Sequence, residues 1–220
     1  MITARIARTR RVGRERHDRR AGQSLVEFAL IFPIFVTLVM GLIEFAFVFN
    51  AMLSVNYAAR DAALAAAEAG DALGADCVIL KAVDDAIGSP TSDDRIVSVE
   101  IFQADAQGGQ LGTPTTYTRG GTTNCNLSGV SFTLDYTLGT NGYREGPVLI
   151  DGRRCNFLAG CDTDRDTDNV VDSDHLTVDN IGVRITYTHQ WVTPIRNFIG
   201  GGSGGLTFDR SSIMRMEPVL

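Results

Sequence analysis

The run from Leu25 to Phe49, LVEFALIFPIFVTLVMGLIEFAFVF, holds 25 residues and only two charged side chains, Glu27 and Glu44. As a helix rising about 1.5 Å per residue it extends about 37 Å, enough to cross a bilayer core of about 30 Å. A segment apolar on every side needs lipid or protein around it, so the rest of the chain must be organised about this helix. Its longest uncharged stretch, Phe28 to Ile43, is 16 residues, which makes the two carboxylates informative. Glu44 lies about 28 Å beyond Leu25 along the helix and reads as a snorkelling carboxylate at the outer interface, where water reaches it. Pro33 lacks a helix donor and clashes with the preceding turn, which predicts a kink or local unwinding near Ala29 to Pro33.

The charge distribution orients this segment. The first 22 residues carry eight Arg against Glu15 and Asp18, about +6, and the remaining 198 hold 12 basic and 24 acidic residues, about −12. A basic flank directly before an apolar run resists translocation and stays cytoplasmic. The acidic remainder has no overall attraction for nucleic acid, which is excluded as a partner of the head. A conventional signal peptide fits poorly, because the apolar core is too long and has no clear A-x-A site. The reading is a single-pass protein of the bacterial inner membrane with a cytoplasmic N-terminus and an extracytoplasmic head.

Glu27 interrupts the run at its cytoplasmic end, where a plain anchor would carry Lys or Arg. Cleavage after Gly22 would give it a partner, since Gln23 would then carry a new α-ammonium one helical turn away, at i and i+4, and a neighbouring subunit's ammonium would serve equally well. Ala21-Gly22-Gln23-Ser24-Leu25-Val26-Glu27-Phe28, preceded by Arg19-Arg20, resembles the processing site of type IV prepilins. The longer string GQSLVEFALIFPIF, continued by Asn56-Tyr57-Ala58-Ala59-Arg60-Asp61-Ala62-Ala63, is most similar to the TadE-like proteins, minor pilins or pseudopilins of tight-adherence (Flp) pilus systems. The similarity covers about Arg19 to Ala63 and weakly Thr186-Tyr187, Thr193-Pro194 and Arg215-Met216-Glu217-Pro218. It implies that a prepilin peptidase cuts Gly22 from Gln23 and that Glu27 serves subunit registry or assembly. It implies as partners the peptidase, other pilins and pseudopilins, the inner-membrane assembly platform and the lipid bilayer. TadG-like relatives share the N-terminal pattern but carry a larger von Willebrand-type region, for which this chain is short.

Beyond the span the helix is expected to continue to about Gly70, break near Gly70 to Gly74, and resume over Cys77 to Ile87, ending before Gly88 and Pro90. This pair reads either as a stalk that carries the head or as helices packed on the head's own sheet. The periodicity then changes to two, predicting strands at Arg95–Gln103, Val130–Thr137, Gly182–Trp191 and Leu206–Met216, with Val97, Val99 and Ile101 on one face and Val183, Ile185 and Tyr187 on another. Gly108-Gly109, Gly120-Gly121, Asn141-Gly142 and the Gly200–Gly205 run read as turns. The fold class expected is α+β, with a transmembrane helix continuing into a stalk helix packed against a mainly antiparallel sheet. The domains are a leader (1–22), a transmembrane helix (23–50), stalk helices (51–88) and a head (89–220) with an acidic loop (162–174).

All four cysteines, Cys77, Cys125, Cys155 and Cys161, follow the apolar run. An even number in an oxidising compartment suggests disulfides, and a local Cys155–Cys161 loop is the simplest of the three pairings; buried free thiols are the alternative. In the acidic loop, Asp164, Asp166 and Asp168, the Val170 carbonyl and Asp172 fall at the first, third, fifth, seventh and ninth positions of a calcium-binding loop, resembling dockerin-type and EF-hand-like loops. Asn169 replaces the usual glycine, and Asp174 stands one residue before the closing position, which is His175. The loop reads as a Ca2+ site or as a solvated acidic segment. No other cofactor is expected. There is no H-E-x-x-H, G-x-S-x-G or metal-type C-x-x-C, and the Cys155, Cys161, His175 and His189 spacing matches no common zinc pattern, so no enzyme is expected. Trp191 reads as a filler of the sheet-to-helix core. The function expected is a minor pilin or pseudopilin in pilus assembly and cell adhesion; an unprocessed, membrane-anchored binding domain that uses calcium is the alternative.

Overall fold

The computed structural model describes residues 19–70, 72, 74–127, 129–140, 142, 180–194 and 204–216, with backbone alone for 19–21. Helix α1 runs Arg19–Ala69 and α2 runs Ala75–Ala86. A 3-10 turn, Asp93–Arg95, leads into strands β1 (Ile96–Ala104), β2 (Gln110–Leu127), β3 (Val130–Leu138), β4 (Asn180–His189) and β5 (Leu206–Arg215). The strands form one sheet in the order β3-β2-β1-β4-β5, each neighbouring pair antiparallel. The α+β class read from the sequence is the observed one.

The chain divides between Leu42 and Ile43 into two compact units. The first contains the apolar part of α1. Leu25, Phe28, Leu30, Ile34, Leu38 and Leu42 are all exposed, and no residue from Gly22 to Leu42 is buried, although Val36, Thr37, Met40 and Gly41 are half-buried. That helix is long and apolar enough to cross a membrane. Pro33 does not unwind it: α1 is helical through that position, and the Thr37 hydroxyl donates to the Pro33 carbonyl at 2.8 Å. Local hydrogen bonding of this kind is one way apolar helices tolerate proline.

In the second unit the same helix becomes one-sided. Val55, Ala58, Ala59, Ala62, Ala63 and Ala66 are fully buried in the core. Alanine contributes little area per residue, but its small side chain lets the helix backbone approach closely, and the bulk comes from the other side of the contact. That bulk is Val99 and Ile101 of β1, Tyr117 of β2, Tyr136 of β3, and Val183, Ile185 and Tyr187 of β4, together with Ile79, Leu80 and Val83 of α2. Residues 51–69 and α2 are therefore packed on the head's own sheet. Gly70 (φ 54°) and Gly74 (φ 77°) make the break between the helices, both in the left-handed region that costs glycine little.

Two sequence expectations are corrected here. Gly120-Gly121 is not a turn but lies inside β2, the one strand missed altogether, which spans 18 residues. Pairing with β3 slips between Arg119 and Thr123, and Gly120 has φ 92°, so the glycines form a bulge that bends a long strand. A side chain at Gly121 would collide with Thr137. Val97 does not share the inner face with Val99 and Ile101. A register shift between Ile96 and Ser98 against β4 buries Ile96 and leaves Val97 exposed.

Covalent and ionic ties reinforce the packing. Cys77 of α2 is disulfide-bonded to Cys125 of β2, with Cα atoms 6.0 Å apart. Cys155 and Cys161, and the local loop expected between them, lie outside the described residues. The Arg119 guanidinium joins α2, the 3-10 turn and β3, reaching Asp84 and Asp93 at 2.6 Å each. Its Nε stands 3.4 Å from Asp135, near enough for an ion pair but without hydrogen-bond geometry. The Tyr136 hydroxyl donates to Asp84 at 2.8 Å, and the guanidinium lies over the Tyr136 ring. Burial, and then the adjacent Asp84 carboxylate, push the Tyr136 phenol far above its usual range, so it donates as a neutral hydroxyl at any physiological pH.

Because the Cys77–Cys125 bridge closes a 48-residue separation, the chain-entropy relation assigns it about 4 kcal/mol. Replacing both cysteines by alanine is expected to lower the thermal midpoint of the detergent-solubilised full chain by several degrees or more, and dithiothreitol is expected to reproduce the loss in the native chain but not in the double variant.

Candidate functional site

The sequence-predicted site lies at the start of α1. Gly22, Gln23 and Glu27 are all exposed on the helix. The Gln23 side-chain amide donates to Glu27 Oε1 at 3.0 Å, the i and i+4 relation expected of the mature terminus, occupied in the uncut chain by an amide rather than an ammonium. A side chain built at Gly22 would meet nothing within 4 Å. The glycine is thus not demanded by packing within the first unit. Because Gly22 is helical, any protease acting there must first unwind the scissile turn into an extended strand.

The second site was missed by sequence reasoning, and it corrects the reading of Glu44. That carboxylate is not a snorkelling interfacial group: it is buried, at 3% exposure. Its Oε1 lies 3.0 Å from Nε2 of the buried His189, with the imidazole as donor. It also accepts the Val192 backbone N–H at 3.1 and 3.2 Å and the Thr193 N–H at 2.7 Å. One carboxylate on α1 therefore satisfies three donors at the end of β4, where the strand stops and the chain turns away. The available signal was the charge itself, a carboxylate between Ile43 and Phe45 that required donors from somewhere. The partner lies 145 residues away and carries no motif.

Other sequence expectations about residues near this point also change. β4 ends at His189 rather than Trp191, and Trp191 is half-buried just past the strand instead of filling the core. The proposed calcium ligands Asp164, Asp166, Asp168, Val170, Asp172 and Asp174, and also His175, lie outside the described residues. Among the described residues there is no cluster of three or more His, Cys, Asp or Glu side chains able to hold a metal ion.

Residues 22–64 match the family model of TadE-like proteins. The N-terminal segment is TadE-like. No curated protein and no solved structure matches the chain. The TadE-like segment takes in Gly22, Gln23, Glu27 and Glu44, and it runs from the apolar unit into the alanine-rich face that packs on the sheet. Its apolar helix is a candidate single-pass membrane anchor.

Removing the Glu44 carboxylate strands a buried imidazole and two backbone N–H groups. Glu44→Ala is expected to destabilise the head by about 2–4 kcal/mol. Glu44→Gln, which keeps one acceptor oxygen, is expected to cost less than half of that. Chemical denaturation of the full chain in detergent, followed by the far-ultraviolet signal of the sheet, measures both.

Proposed function

We propose that this chain is a minor pilin or pseudopilin of a tight-adherence pilus, processed by a prepilin peptidase between Gly22 and Gln23 and acting through its apolar helix as a structural subunit rather than an enzyme. The observation that carries the reading is the combination, within the TadE-like segment, of an exposed glycine with open space around it, Glu27 one residue beyond the next helical turn, and an apolar helix unburied on every side. Exposed apolar surface on this scale is stable only in lipid or against other apolar helices. Both environments suit a subunit that waits in the membrane and then joins an assembly.

In this reading the leader stays cytoplasmic, the helix spans the inner membrane, and the head folds outside. The Cys77–Cys125 bridge supports that orientation, since disulfides persist in oxidising compartments and are rare in the cytosol. Cleavage would release the basic leader and place the Gln23 ammonium beside Glu27, replacing an amide hydrogen bond by a charged pair. In low-dielectric surroundings that pair, or its counterpart between subunits, would fix the depth at which neighbouring helices align. Peptidase, other pilins or pseudopilins and the inner-membrane platform are the partners this requires.

Intact-mass measurement of the membrane-extracted protein, from cells with and without the prepilin peptidase, tests the proposal. The expected product begins at Gln23 and is lost both without the peptidase and in Gly22→Phe. Because a side chain at Gly22 has room, an uncut Gly22→Phe chain with an unaltered thermal melt reports on processing and not on folding. A full-length chain in peptidase-competent cells would overturn the proposal. Glu27→Ala is expected to be cut normally but to fall several-fold in recovery with sheared pilus material.

A further inference from the structure

Beside His189 the second unit holds a recess of about 80 Å3, and hydrogen-bond donors reach it that have no acceptors of their own. It is lined by Phe47 and Ala51 of α1, Thr91 and Arg95 of the segment leading into β1, and Tyr187 and His189 of β4, among others. Thr91 is buried, at 6% exposure, and its hydroxyl meets no protein partner. Tyr187 is fully buried, and its hydroxyl accepts the Ser92 N–H at 3.4 Å, which leaves the phenolic proton without an acceptor among the described residues. Arg95 is half-buried and, among the described residues, has no acidic partner. The two carboxylates of its own 3-10 turn are engaged elsewhere: Asp93 pairs with Arg119, and Asp94 accepts the Ser92 hydroxyl. A guanidinium and two hydroxyls thus share one recess, and buried donors are costly unless an acceptor meets them.

We propose that this recess is a binding site for a small carboxylate, held by Arg95 with the Thr91 and Tyr187 hydroxyls as further donors. The guanidinium fork matches the two oxygens of a carboxylate, and Phe47 and Ala51 give the acid's aliphatic part an apolar wall. A single negative charge suits the site because Arg95 is its one cation. His189 adds no free charge, since its Nε2 is committed to Glu44, and that carboxylate would repel a dianion such as phosphate. At about 80 Å3 the recess is far smaller than the roughly 300 Å3 of sites for drug-sized ligands. It therefore takes a short acid or the carboxylate end of a longer group. A free short-chain acid and an acidic side chain of another polypeptide present the same chemistry to it.

Fluoroacetate is the probe, read by fluorine NMR with the full chain in detergent, because the detergent carries no fluorine. Its signal is expected to broaden at least twofold in the presence of the native chain, with a dissociation constant of about millimolar, as befits so few atoms. Acetate is expected to restore the narrow line, and equimolar chloride or phosphate is not. Arg95→Met is expected to weaken binding at least tenfold. Arg95→Lys, which keeps the charge without the fork, is expected to weaken it several-fold and serves where the methionine variant does not fold. Thr91→Val is expected to weaken binding several-fold while keeping or raising the thermal midpoint, since it removes a hydroxyl that has no protein partner. Displacement by acetate but not by N-acetylglutamate amide assigns the site to a free acid, and displacement by both assigns it to an acidic side chain; either sustains the carboxylate site. Absence of broadening would overturn it, as would equal displacement by chloride or phosphate. Unchanged binding in folded Arg95→Met, Arg95→Lys or Thr91→Val would overturn it as well.

Discussion

One helix has to be compatible with two surroundings, and the protein is organised about the place where it passes from one to the other. Up to Leu42, α1 is apolar on every face and unburied on every face. From Ile43 onward it has an inner face of alanines and valines against a sheet. The first pattern suits lipid, where no side of the helix faces water; the second suits a globular core, where one side must be small enough to admit strands bearing tyrosine and isoleucine. Glu44 stands at the start of the second regime. A charge there is affordable only if protein donors replace water, and the end of β4 provides them.

The head is otherwise a three-part lock around α2. The disulfide joins α2 to β2, Arg119 on β2 joins Asp84 of α2 to Asp93 of the 3-10 turn, and the Tyr117 hydroxyl donates to the buried Asp76 carboxylate of α2. All three connect α2 to strands on the β3 side of the sheet. Glu44 instead connects α1 to β4, on the opposite side of β1. The sheet is therefore pinned to its helices on both sides of its central strand by polar contacts, with apolar burial between them. Polar contacts of this kind add direction to a core whose alanine-rich helix would by itself slide easily.

The apolar span, the break at Gly70 to Gly74, the second helix and four of the five strands were legible from the sequence because each depends on local periodicity and on local breakers. β2 was not, since its threonines and glycines alternate weakly and its bulge reads locally as a turn; only the neighbouring strands β1 and β3 make it a strand. Val97 was misplaced for the same reason, as a bulge changes which parity faces inward and is set by pairing with β4. The pairing of Gln23 with Glu27 was legible because the two stand one helical turn apart, a distance the sequence itself fixes.

The sequence alone thus determined the features governed by nearest neighbours: a helix too apolar for water, a basic flank before it, a glutamine and a carboxylate one turn apart, and the α+β order of elements. Tertiary structure decided what depends on residues far apart in the chain. It paired Cys77 with Cys125 and gave Glu44 its donors from His189, Val192 and Thr193. A buried charge or thiol takes its meaning from the groups that replace water around it, and those groups are brought together only when the sheet closes on the helix.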